Sequence, residues 1–220
     1  FIISSGSWQS KIFASNKIFF DDFGLISIMY HRFNESKYPS TNIQLDVFED
    51  HLKIIEKEGI KFIHPKELKL SISQQKNERK ILLTVDDGLL SFYENAWPIL
   101  KRKKIPFILF VSTREVGSFN YMNWDQIQEI SQSELAEIGN HSHSHEYLVD
   151  ESSELIKKDI LGSIKIFKEK LGKNSEFFSY PFGEYSLQFK KIIKELGFKY
   201  AFGQHSGVID ETKDVLELPR

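Results

Sequence analysis

Two segments, Lys80–Val85 (KILLTV) and Phe107–Val111 (FILFV), carry almost no polar residue on either face of their pleat. A strand of this kind has to be covered on both sides. That is the pattern of a parallel sheet flanked by helices, not of an antiparallel sheet with one wet face. The rest of the chain repeats the theme. Leu25–Tyr30, Lys61–His64, Leu135–Gly139, Phe177–Tyr180 and Lys199–Phe202 are further predicted strands, each separated from the next by helical patterns. Asp46 is predicted to cap one helix, with Glu49 completing a capping box, and Gly59 to end it. A second helix runs to about Lys104 with a kink near Pro98, and a short one covers Trp124–Ser131. The longest spans Ser152–Leu171 and stops at Gly172, and a last one, Leu187–Leu196, stops at Gly197.

Strands separated by helices imply parallel pairing through right-handed crossovers. Six or seven such units predict an α/β, single-domain, distorted (β/α) barrel with its active site at the carboxyl ends of the strands; an open doubly wound sheet is the alternative. No GxGxxG follows the first strand, so dinucleotide binding is not indicated. The barrel is assigned to residues 23–220, and residues 1–22 are read as an extension or the remnant of a processed segment.

Composition narrows the function classes. A net charge of −2 gives no strong attraction to nucleic acid or anionic lipid. The absence of cysteine removes disulfides, thiolate metal sites and cysteine nucleophiles. No apolar run approaches the roughly 20 residues of a membrane span.

The unusual polar residues fall at predicted strand ends. His31 follows the first strand, and Asp86 and Asp87 follow KILLTV. His141, His143 and His145 follow the strand that ends at Gly139; Pro181 and Phe182 follow FFSY; His205 lies just beyond KYAF. Adjacent buried carboxylates repel and are poorly solvated, a conflict that a bound dication resolves. Asp87, His141 and His145 make a two-histidine, one-carboxylate set suited to a divalent transition metal, zinc first among iron, cobalt and nickel. The spacing of four between His141 and His145 predicts that both rings lie on one side of a helical turn, with His143 out of phase. Taken singly, Asp-Asp-Gly also reads as a turn and the His/Ser string as a solvated loop. With a metal ion in place, Asp86 is free to act as a base and a histidine across the site as an acid, an arrangement fitted to hydrolysis of an amide or ester.

These residues resemble a known family. TVDDG (84–88) is similar to the TFDDG motif of the polysaccharide deacetylases, carbohydrate esterase family 4, also called the NodB homology domain. EIGNHSHSH resembles the family's second motif, through His141, Ser142 and His145, and SYPFGEYS resembles its third. The resemblance, spanning about Leu25 to Arg220, implies a NodB-like barrel with Asp86 as catalytic base, Asp87, His141 and His145 as metal ligands, and Ser142 orienting the histidine loop. It also implies that the backbone amide of Phe182 stabilises the oxyanion.

Two departures stand out. The arginine that opens the third motif is missing, so another group must orient Asp86. The family's late Leu-x-His is missing too, whereas Met29-Tyr30-His31 looks like the same element moved to the first strand, as in the circularly permuted branch acting on poly-N-acetylglucosamine. His31 is therefore the expected general acid and His205 its alternative. Tyr121, Trp124 and Tyr185, with Pro181, are candidates for contacting sugar rings. The resemblance implies N-deacetylation of amino sugars in a bacterial polysaccharide at an extracytoplasmic location. An O-acetyl esterase and a catalytically weak glycan-binding homologue are the alternatives.

Overall fold

The computed structural model describes residues 24–74 and 78–220. The proposed extension at 1–22 lies outside them. Among the described residues nine strands form: β1 (Gly24–Tyr30), β2 (Arg32–Phe33), β3 (Asn42–Ile43), β4 (Lys61–Phe62), β5 (Arg79–Val85), β6 (Phe107–Val111), β7 (Ala136–Asn140), β8 (Phe177–Ser179) and β9 (Tyr200–Phe202). The α-helices are α1 (Leu45–Lys57), α2 (Leu68–Ser73), α3 (Trp97–Lys103), α4 (Trp124–Ser131), α5 (Ser153–Leu171) and α6 (Leu187–Glu195).

Seven strands curl into a half-barrel, six of them in the order β1-β5-β6-β7-β8-β9 and β4 off that path, with every pairing parallel. The small β4 pairs with the first part of β5, at Lys80 and Ile81, while β6 takes Leu83 to Val85. β1 and β9 do not pair with each other. The seam between them is covered by the segment after β9, through bridges Leu25↔Ile209 and Phe202↔Leu218. β2 and β3 form a separate two-stranded ribbon.

The two apolar runs are buried on both faces for the reason their sequence implies. Leu82, Ile108 and Phe110 point into the barrel, with Leu25, Phe177, Phe202 and Leu218. Leu83, Val85, Phe107, Leu109 and Val111 point outward and pack beneath the helices with Phe48, Leu52, Trp97, Ile127 and Phe167. Gly139 is dictated by this packing: a Cβ there would stand 2.2 Å from the ring of Phe110.

Several local expectations are corrected. Helix α1 begins one residue before Asp46, with Gln44 as its uncapped flank. Asp46 accepts from the Val47 amide at 2.8 Å, and Glu49 pairs with Arg102 instead of closing a capping box. The reciprocal box occurs at α4, where Asn123 and Gln126 bond each other's backbone. The helix around Pro98 is not regular throughout: it opens with a widened π turn over Phe92–Ala96, and Pro98 lies in the first turn of α3, where its missing N–H costs no α-helical bond. The short helix α2 falls where no helix was predicted.

Candidate active site

The register of the central strands creates the site. β1 and β5 run side by side with Tyr30 opposite Val85, and the Asp86 amide donates to the Tyr30 carbonyl at 2.9 Å. The residues that follow, His31 on one strand and Asp86 and Asp87 on the other, therefore emerge together. β6 and β7 pair up to Val111↔Asn140, and the His141 amide continues the ladder to the Val111 carbonyl at 3.0 Å. That brings the histidine loop to the same rim.

Asp87 Oδ1 lies 3.5 Å from His141 Nε2 and 3.3 Å from His145 Nε2, and the two Nε2 atoms are 3.2 Å apart. Tetrahedral coordination at metal–ligand bonds of about 2.0–2.1 Å requires ligand atoms about 3.3–3.4 Å from one another. The triangle fits that requirement. Asp87 Oδ1 is also buried without a hydrogen-bond partner, an orphaned acceptor that a cation would satisfy. The His141 Nδ1 position faces the Ser179 carbonyl at 2.7 Å, so Nδ1 carries the proton and Nε2 presents its lone pair to the triangle. Asp87, His141 and His145 are thus a group able to hold a metal ion.

The loop that carries the histidines is not helical, contrary to the expectation from their spacing. Ser142 and His145 have φ of 70° and 54°, left-handed values that fold the loop back and bring the two rings to 4.8 Å between centroids. Asp87 (φ 75°) and Phe182 (φ 58°) share this conformation. Non-glycine residues held there cost of order 1–3 kcal/mol each, and such strain collects at functional sites. His143 turns away from the triangle, and its Nδ1 lies 2.8 Å from the Thr113 hydroxyl.

Asp86 is fully buried. Its Oδ1 accepts from Arg220 Nη1 at 2.7 Å, and its Oδ2 from the Ser179 hydroxyl at 3.3 Å. The Arg220 side chain is itself buried and fixed by three more bonds, from Nη2 to Ser179 Oγ at 3.0 Å, from Nε to the Gly203 carbonyl at 2.8 Å and from Nη1 to Thr84 Oγ1 at 3.5 Å. Burial opposes ionisation of Asp86, but Arg220, then His141 and His31, outweigh it and hold the carboxyl below the usual range. Burial likewise works against ionised Asp87; His141, His145 and His31 override it and hold that carboxyl well below its ordinary value. His145 is pushed the other way: burial favours the neutral ring, but Asp87 above all raises its pKa.

Arg220 is the residue that sequence reasoning missed. The structure supplies the cation not from the third motif but from the segment that closes the seam. The available signal was slight: an arginine directly after Leu218-Pro219, in a segment that Glu217 interrupts.

The remaining candidates divide. His31 is half-buried and close enough for its charge to act on both aspartates. His205 is exposed, and its ring faces Tyr185 at 6.2 Å. Tyr121 is half-buried, and that burial, with the nearby Asp87 charge adding to it, raises its pKa. The Trp124 ring packs edge-on against Phe167 at 6.5 Å, and Tyr185 leans on Tyr180. Pro181 is buried at the start of the turn that carries Phe182. The Phe182 ring is half exposed, 5.0 Å from that of His145 and 5.9 Å from that of Tyr147, an apolar rim that the sequence did not announce.

Fold and site together define a parallel half-barrel protein with a metal-competent His/His/Asp group at its strand ends. Comparison with known proteins takes the assignment further. The profile of the polysaccharide deacetylase family matches residues 73–201, and the chain belongs to that family. It is 25% identical over 195 residues to a putative polysaccharide deacetylase, YxkH, of Bacillus subtilis, covering 88% of this chain and 69% of the relative. It is 27% identical over 210 residues to a poly-beta-1,6-N-acetyl-D-glucosamine N-deacetylase of Staphylococcus aureus, covering 89% and 72%. Among solved structures it resembles IcaB from Ammonifex degensii with a TM-score of 0.83 and 28% identity, covering 90% of this chain and 91% of that one. Among the described residues no helix is long and apolar enough to cross a membrane.

Proposed function

We propose that this chain is a metal-dependent deacetylase that removes N-acetyl groups from amino sugars of a bacterial polysaccharide, and that it works outside the cytoplasm. The observation that carries the reading is the triangle of Asp87, His141 and His145, with its edges of 3.2–3.5 Å, beside a buried carboxylate held by Arg220. The names of the relatives set the substrate class.

A divalent ion, zinc by preference, would sit on the three ligands and supply Lewis acidity towards the acetyl carbonyl and a water. Asp86 takes the proton of the attacking water. Its Oδ2 is the freer oxygen, since Oδ1 is committed to Arg220. The Phe182 amide donates to the oxyanion as the carbonyl carbon becomes tetrahedral. His31, next to Asp86 along the rim, protonates the nitrogen as the C–N bond breaks, giving acetate and a free amine. Its half-buried place within the field of both aspartates favours it over the exposed His205. Tyr121 is the best placed of the aromatic candidates for a sugar ring, and the Phe182 and Tyr147 rings extend the apolar rim.

The test is acetate release from N-acetylglucosamine oligomers, measured with metal content, for the native protein, Asp86→Asn and His141→Ala. The expected result is stoichiometric metal in the native protein and in Asp86→Asn, with activity lower by about 10²–10⁴ in Asp86→Asn. Release from O-acetylated glycans but not from N-acetylated ones would redirect the reading to an esterase. Metal without release from either would redirect it to glycan binding.

A further inference from the structure

The histidine loop is held by an unusual set of bonds, and two of them go to a single side chain on α5. Of six consecutive amides, His141 to Glu146, only the first donates to a backbone carbonyl. The Ser142 amide donates to Asn140 Oδ1 at 2.9 Å, that of His145 to Ser142 Oγ at 2.9 Å, and that of Glu146 to Ser144 Oγ at 3.2 Å. The two in the middle are taken by a single carboxylate on α5: the His143 amide donates to Asp159 Oδ1 at 2.7 Å and the Ser144 amide to Asp159 Oδ2 at 3.1 Å. The same helix also meets the base of the loop, where Asn140 Nδ2 donates to the buried Ser163 hydroxyl at 2.9 Å. Gly162 of the same helix faces the His143 ring, and a Cβ there would meet it at ordinary van der Waals distance, 3.7 Å.

These bonds matter because the loop is strained. Ser142 and His145 both hold left-handed backbone angles, and residues held there persist only when their surroundings over-determine them. The amides of His143 and Ser144 lie between those two positions. A carboxylate that accepts both fixes the peptide planes between the strained residues, and hence the angle at which the His145 ring meets that of His141. Charge-assisted bonds to backbone amides are the stronger kind.

We infer that Asp159 is a positioning residue of the metal site: its carboxylate holds the His141–His145 loop in the ligating shape without touching the ion or substrate. The inference rests on the proposed metal reading. Outer groups that orient metal ligands typically contribute 10–100-fold to affinity.

The experiment measures Zn²⁺ affinity by competition with a chromophoric chelator. It records the visible absorption of the Co²⁺-loaded protein as well, because that band reports tetrahedral coordination. The proteins are the native chain, Asp159→Ala, Asp159→Asn and Ser152→Ala. Ser152 caps α5 by accepting from the Leu155 amide, so its loss weakens the same helix without touching the loop. Asp159→Ala is expected to weaken Zn²⁺ binding about 10–100-fold and to shift the Co²⁺ band. Acetate release at saturating metal should stay within a few-fold of native. Asp159→Asn is expected to fall between, since its amide keeps one acceptor and sets an N–H against the other backbone donor; it decides the matter if the alanine variant does not fold. Ser152→Ala is expected to bind Zn²⁺ as the native protein does. Affinities within twofold of native for both Asp159 variants would overturn the inference alone, as would equal weakening by Ser152→Ala and Asp159→Asn. A native protein that takes up no metal would instead overturn the metal reading on which it rests.

Discussion

The two ends of the barrel strands handle charge in opposite ways. At the carboxyl ends, Asp86 and Arg220 meet at 2.7 Å with both side chains fully out of water. At the amino ends lies a cavity of about 980 Å³ rimmed by lysines, including Lys66, Lys173 and Lys199. There Lys66 and Lys173 reach Glu137 on β7 at 3.1 and 3.6 Å, but both lysine side chains are 72% exposed. Exposed pairs contribute roughly 0–1 kcal/mol because water screens them. The buried pair cannot be broken without leaving a charge stranded in the protein. What sets the candidate site apart is therefore not a cavity but buried, fully partnered charge.

The sharpest test of this contrast is Arg220→Met. It leaves Asp86 buried without its counter-cation, and the cost in folding stability at neutral pH, read by urea titration, is expected to be about 3–5 kcal/mol. The sign of the pH dependence follows from the direction of the shift. Asp86 is held below its ordinary value, so the pair stabilises the fold above the unfolded-state pKa and this contribution fades as pH falls through the folded one. Removing Arg220 lets burial dominate and raises the pKa. The acid limb of kcat/KM should move to higher pH, and an unmoved limb would remove Asp86 from the role of base.

A smaller contrast lies within the carboxyl end. His31→Gln is expected to lower kcat/KM by about 10²–10⁴, while His205→Gln should leave it within a few-fold. The reverse ranking would transfer the acid role to His205. The smallest effect belongs to the amino end: Glu137→Gln should change stability by no more than about 1 kcal/mol and leave acetate release unaltered. A large loss there would mean that the lysine-rimmed cavity takes part in function.

What the sequence discloses, and what it hides, follows the range of the forces involved. KILLTV and FILFV announce a doubly covered sheet because nearly every pleat position is apolar, and the curled parallel half-barrel follows. The caps of α5 were readable for a similarly local reason: Ser152 and Gly172 occupy the positions where backbone groups run out of partners. The Asp46 signal was equally local but wrong, since the helix is set by the burial of Phe48 and Leu52 and starts one residue sooner. In the site, the identities of Asp87, His141 and His145 were visible as residue types at strand ends. The loop shape was not, because Ser142 and His145 adopt glycine-like angles that neither residue advertises. Arg220 was hidden for a different reason: its role depends on a segment crossing the seam between β1 and β9, a long-range event with no local pattern.

That seam has a consequence for the order in which the molecule is built. Asp86 and Arg220 are 134 positions apart, and the segment bearing the arginine docks against both β1 and β9. Contacts of such separation carry the largest loop-closure entropy and form slowly. During refolding, the helical circular dichroism signal should return before acetate release does, because the carboxylate enters the barrel interior ahead of its cation. Activity would then appear only once this long-range contact has closed.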